Sequence, residues 1–175
     1  MSSLNFTSRK TLRSKSLLCL VIAVLFFCGV QTAARAQDAP VRLANVFGDH
    51  MVLQRNRPIP VWGWAAPKQE VSVSLAGVVK KTTADADGKW MVKLDSQPAG
   101  GPHELVVQAA QRVSISDVLI GEVWLCSGQS NMAMTVSRSQ NFEKEKIRSQ
   151  IPEIRMINIA RKASPEPQED CSGKW

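Results

Sequence analysis

Histidine is nearly missing from this sequence: His50 and His103 are the only two in 175 residues. They stand far apart with no Cys or His at ligand spacing, so neither a metal nor another cofactor is expected. No Lys/Arg cluster interleaved with aromatics is present, and a nucleic-acid partner is not expected. The sequence also lacks an apolar run long enough to span a bilayer. Its longest, Leu17–Val30, covers 14 residues, against the ~20 that a spanning helix needs. No internal repeat is found. The nucleophile signature Gly-x-Ser-x-Gly of α/β-hydrolases is absent too.

What is present begins with an export signal. Arg9, Lys10, Arg13 and Lys15 precede the apolar run without an acid among them, and Ala34, Arg35 and Ala36 form an A-x-A site. That order predicts a secretory signal peptide at residues 1–36 and an exported product, periplasmic or extracellular. An uncleaved anchor is the alternative. After cleavage no stable membrane partner is expected. Residues 1–36 hold five of the 22 basic residues and none of the 15 acids, so the remainder has 17 basic against 15 acidic residues, a net charge of +2. The basic pI is therefore mostly the signal's. Cys19 and Cys28 fall in the signal; Cys126 and Cys171 remain. An exported protein can pair them, but Cys126 ends an apolar run and reads more simply as a buried free thiol.

Residues 38–118 read as short strands in a small β-sandwich. Val71–Leu75 alternates with period two, the mark of a half-buried strand. Pro58 and Pro60 push the β-rich stretch Ile59–Trp64 toward a sheet edge. Asp87-Gly88 predicts a hairpin between 78–83 and 89–94. From Val118 to Cys126 the sequence is nearly continuous in apolar residues, as in a strand buried on both faces of a parallel sheet. A polar turn at 127–132 follows. Next come a helix over 142–150 with Asn141 as its N-cap and a second β-like run at 154–160. Residues 119–160 thus read as a βαβ unit. Good packing is not expected beyond residue 118, because one such unit cannot bury both faces of its sheet. Trp62, Trp64, Trp90 and Trp124 are expected in core packing, with a sugar-facing surface as the alternative.

Ser130 then stands at the C-terminal edge of a parallel strand, where open sheets bind ligands. Gly128 permits a sharp turn beside it. The N–H groups that follow, at the start of a helix, can face a developing oxyanion. Spacing alone makes this weak, since most such serines are turn or cap residues.

The wording of the segment is more specific. Gly121–Met132 (Gly-Glu-Val-Trp-Leu-Cys-Ser-Gly-Gln-Ser-Asn-Met) strongly resembles the nucleophile block of the sialate O-acetylesterase family, which belongs to the SGNH/GDSL class of serine hydrolases. Met51–Arg55, Pro58–Gly63 and Ala66-Pro67 resemble the start of that family's N-terminal β domain. Asp85–Trp90, Pro152–Arg155 and Gly173–Trp175 fit its later segments.

The resemblance implies an α+β multi-domain fold: a signal peptide at 1–36, a β-sandwich at 38–118, and at 119–175 the truncated start of an α/β, flavodoxin-like SGNH-hydrolase domain. It implies an O-acetylated sugar as substrate and Ser130 as nucleophile and backbone oxyanion donor. Gly128, Gln129, Asn131 and Met132 are implied as supporting residues; Asn131 reads equally well as a helix-start cap. The family's later Gly and Asn donors and its Asp-x-x-His pair have no counterpart here. Without a base the serine hydroxyl stays protonated, so this chain alone is expected to be inactive. Two rival readings are a secreted carbohydrate-binding or scaffold β module, and the N-terminal half of a split esterase completed by a second chain.

Overall fold

Alternation of apolar and polar residues decides most of the strands. The computed structural model describes residues 39–175, so the expected signal peptide lies outside the described residues. Eight strands come first: β1 (Arg42–Leu43), β2 (Val52–Gln54), β3 (Ile59–Trp64), β4 (Glu70–Leu75), β5 (Val78–Thr83), β6 (Lys89–Leu94), β7 (Gly100–Gln108) and β8 (Arg112–Gly121). They form a three-stranded sheet, ordered β1-β3-β6, and a five-stranded sheet, ordered β2-β8-β7-β4-β5. The β2–β8 pair is parallel, and the other pairs in both sheets are antiparallel.

The two sheets share one core. Ile59, Val61, Trp90, Val92 and Leu94 come from one; Val71, Val73, Leu75, Leu105, Val107, Val118 and Ile120 come from the other. Period-two alternation puts these side chains on one face of each strand. Each buried aliphatic contributes roughly 1.5–3 kcal/mol relative to exposure.

The expected turn forms, but it does not join the expected pair of strands. Asp87-Gly88 does turn the chain, and Asp85 Oδ1 accepts N–H bonds from Asp87 and Lys89, both at 2.9 Å. Yet β5 and β6 lie in different sheets, so this is a crossing and not a hairpin. Gly88 sits against the Ala65 carbonyl, where a Cβ would come within 2.5 Å of the oxygen. The hairpin is β4–β5, closed through Ala76 and Gly77, both at positive φ.

Pro60 also stands differently. β3 is the middle strand of its sheet, but β1 pairs only with Gly63 and Trp64. Pro60 therefore has a neighbour on one side alone, which is the edge environment a residue without an N–H tolerates.

The βαβ unit expected over 119–160 is not formed. Val118–Gly121 completes β8, and residues 122–129 pair with no strand. Helix α1 is short, Phe142–Arg148, and β9 (Asn158–Ile159) pairs antiparallel with β10 (Gly173–Lys174). The physical reason is the lack of neighbours: an apolar strand is buried only when other strands and helices cover it, and none of the described residues does so here. Trp124, Leu125, Ile147, Ile154 and Met156 are all exposed.

This later segment is nonetheless tied down at several points. The Arg155 guanidinium donates to the Asp117 carboxylate at 2.9 Å and to the His50 carbonyl at 3.1 Å. Asp170 accepts from Arg42 and from the Asn45 amide, each at 2.7 Å. The Trp175 indole donates to the Val46 carbonyl at 2.8 Å.

Candidate functional site

β2 and β8 run side by side until Gln54 faces Gly121. The Arg55 N–H donates to the Gly121 carbonyl at 2.9 Å and ends the pairing. Side chains continue it. Gln54 Nε2 donates to Glu122 Oε2 at 3.0 Å, while Gln54 Oε1 accepts the Val123 N–H at 2.9 Å. Arg55 Nε donates to Glu122 Oε1 at 2.6 Å. These bonds from Gln54 and Arg55 hold the Glu122 carboxyl below its ordinary pKa, so Glu122 is ionised at neutral pH.

Past Val123 the chain leaves the sheet and exposes its apolar side chains. Leu125 is 94% exposed. Cys126 is free, as expected of it, but exposed instead of buried, because the strand expected to carry it into a sheet ends at Gly121; Cys171 is free as well. The tryptophans divide. Trp90 is in the core and Trp124 is exposed. Trp62 and Trp64 lie on the outer face of their sheet, partly covered: the Trp62 indole donates to the Glu169 carbonyl and packs edge-on against Phe47, and Arg42 stacks on Trp64 at 3.8 Å. Trp62 and Trp64 are therefore only partly open to a ligand.

The expected nucleophile sits on a turn. Gly128 adopts φ +155°, a backbone region that L side chains rarely enter, and a Cβ there would lie 3.1 Å from Met132 Cγ. Gln129 follows in extended conformation and caps a single 3-10 turn, Ser130–Ala133, without using its side chain. The Met132 N–H donates to the Gln129 carbonyl at 2.9 Å. Ser130 is exposed, as are Gly128, Gln129, Asn131 and Met132. The structure therefore brings the five motif residues together on one glycine-dependent turn. The helix expected directly after Ser130 is replaced by this turn, and α1 begins at Phe142. Asn131 lies inside the turn and does not cap it. Asn141 does stand at the N-cap of α1, at positive φ, but its side chain makes no capping bond.

Neither histidine serves Ser130. Among the described residues no hydrogen bond joins the Ser130 hydroxyl to a base. His50 Nδ1 is 2.6 Å from Asp117 Oδ2, and the bonds from His50 and Arg155 hold the Asp117 carboxyl below its usual range. His103 lies on β7, in register with Val118. The Arg155–Asp117–His50 cluster and the Gln54–Arg55–Glu122 cluster were not foreseen. Each cluster joins stretches far apart in sequence, and no local pattern pairs them.

No protein-family model matches the chain. Curated relatives do. Sialate O-acetylesterase of Mus musculus is 33% identical over 156 residues, covering 82% of this chain and 29% of the relative. Sialate O-acetylesterase of Homo sapiens is 38% identical over 126 residues, covering 65% of this chain and 24% of the relative. This chain belongs to the sialate O-acetylesterase family. The crystal structure of a carbohydrate acetylesterase from Xanthomonas citri agrees, at 34% identity and a TM-score of 0.74 over 78% of this chain and 32% of that one. The chain thus spans under a third of the length of the curated relatives of the family that it matches.

Proposed function

We propose that this chain carries the nucleophile-bearing part of a serine esterase that removes O-acetyl groups from acetylated sugars. The observation that carries the reading is Ser130, exposed on a turn that only glycine at 128 readily allows, within a chain whose relatives are named acetylesterases.

In this reading Ser130 Oγ attacks the acetyl carbonyl carbon and its proton passes to a general base. The carbonyl oxygen gains negative charge, which the Ser130 N–H stabilises. Collapse expels the sugar hydroxyl, which takes the proton, and leaves an acetyl group on Ser130. Water then releases acetate. Gly128 shapes the turn, and Gln129, Asn131 and Met132 position it. No Asp-x-x-His follows Ser130 within the 175 residues. The base is therefore assigned to an Asp/His pair outside them, on a longer form of the protein or on a second chain, and residues 119–175 to the opening of an SGNH-type α/β domain. Residues 38–118 are read as the β-sandwich that precedes it.

Residues 1–36 are read as a cleaved export signal. Amino-terminal sequencing of the exported product would begin at Gln37; an intact Met1 in the membrane fraction would overturn this. For the activity, acetate release from an O-acetylated sugar by purified residues 37–175 is expected to be nil. Release that disappears in Ser130→Ala would refute the need for an outside base.

A further inference from the structure

Every polar atom of the Gln54 side-chain amide is used at the exit of β8. Its oxygen takes the Val123 N–H; its nitrogen donates to Glu122 and to the Arg55 carbonyl, the latter at 3.2 Å. Gln54 is the last residue of β2 and faces Gly121 in parallel register. One side chain thus grips two successive residues, 122 and 123, just after the sheet ends. An amide suits this task because it donates and accepts through a fixed plane. Arg55 holds the other oxygen of the same Glu122 carboxylate. Between Val123 and the turn at Gln129, no other backbone or side-chain hydrogen bond is found among the described residues.

We propose that Gln54 is a positioning residue for the esterase: its amide fixes the direction in which the segment bearing Ser130 leaves the sheet. The proposal rests on the reading of Ser130 as nucleophile. Gln54 touches no substrate in it and acts only through Glu122 and Val123. A small error in exit angle is magnified over the seven residues to Ser130, and catalysis is sensitive to misplacement of that order.

The experiment has two readouts. The first is amide exchange of this chain, measured residue by residue by NMR. Gln54→Met keeps the stem and removes the amide. It is expected to speed exchange at Val123 about tenfold, the effect of one lost hydrogen bond, with Leu105 and Val107 unchanged. Gln54→Glu alone sets two carboxylates against each other and should also lose protection. Adding Glu122→Gln swaps donor and acceptor and should restore it. Unchanged exchange in Gln54→Met, or no recovery in the swap, overturns the clamp. The second readout is acetate release by the gene product as its own host makes it. Gln54→Met should lower kcat with KM little changed, and the swap should recover kcat. Exchange that moves while kcat does not would overturn the positioning role. Exchange decides the clamp even in a protein that releases no acetate, so failure of the esterase reading is a separate result.

Discussion

Arg55 Nε donates to Glu122 Oε1 at 2.6 Å, across a sequence separation of 67 residues. The bond joins the two stretches that most resemble the sialate O-acetylesterases, Met51–Arg55 and Gly121–Met132. The β unit therefore does more than precede the serine segment: β2 lies beside the strand that leads into it. Both partners are partly exposed, so the bond's worth lies in geometry more than in Coulomb energy.

The shared core predicts where stability resides. Leu105 is fully buried between the sheets, and Leu105→Ala should cost about 2–5 kcal/mol. Urea unfolding followed by tryptophan fluorescence would measure it. A loss no larger than that of an exposed-site control would contradict a core shared by the two sheets.

Acid should loosen the ties of the later segment. Asp117 is held below its ordinary value of 3.8 by His50 and Arg155. Asp49 is held below it by the Ser116 N–H and hydroxyl. At Asp170 burial pushes the pKa up, but Arg42 and the Asn45 and Cys171 amides outweigh it. A carboxyl whose folded pKa is lowered gives stability that is present above the unfolded value and lost as pH falls through the folded one. The urea midpoint should therefore fall as pH drops below about 4. Asp117→Asn should lower the midpoint at neutral pH and flatten part of that acid limb; an unaltered pH profile would count against the cluster.

Gly128 makes a sharper test of the turn. Its φ of +155° disfavours any Cβ, while Met132 Cγ at 3.1 Å belongs to a flexible side chain that can give way. Gly128→Ala should strain the turn by roughly 1–3 kcal/mol. The expected signature is chemical-shift change confined to residues 127–134, with the core amides unmoved. In the host-made protein the variant should lower turnover. Shifts indistinguishable from the parent's would mean that the turn does not need glycine.

Local pattern was legible and pairing was not. Val71, Val73 and Leu75 point inward as their alternation says. Asp87-Gly88 turns as its composition says, but composition does not tell which sheet receives the next strand. Apolarity from Val118 to Cys126 correctly marks β8 as far as Gly121. It misleads beyond, because Trp124 and Leu125 are buried only if neighbours arrive, and neighbours are a non-local fact. Gln54, Arg55 and Glu122 lie within the two family-like stretches, but nothing in the sequence pairs them. Only the parallel register of β2 and β8 brings them together. Ser130 is marked by the wording of its segment, and the turn expected at Gly128 does form and expose it.

The most direct test of the central claim is acetate release from an O-acetylated sugar by the gene product as its own host makes it, with and without Ser130→Ala. The account predicts hydrolysis in the parent and a loss of about a thousandfold or more in the variant. Equal hydrolysis in the two would show that Ser130 is not the nucleophile.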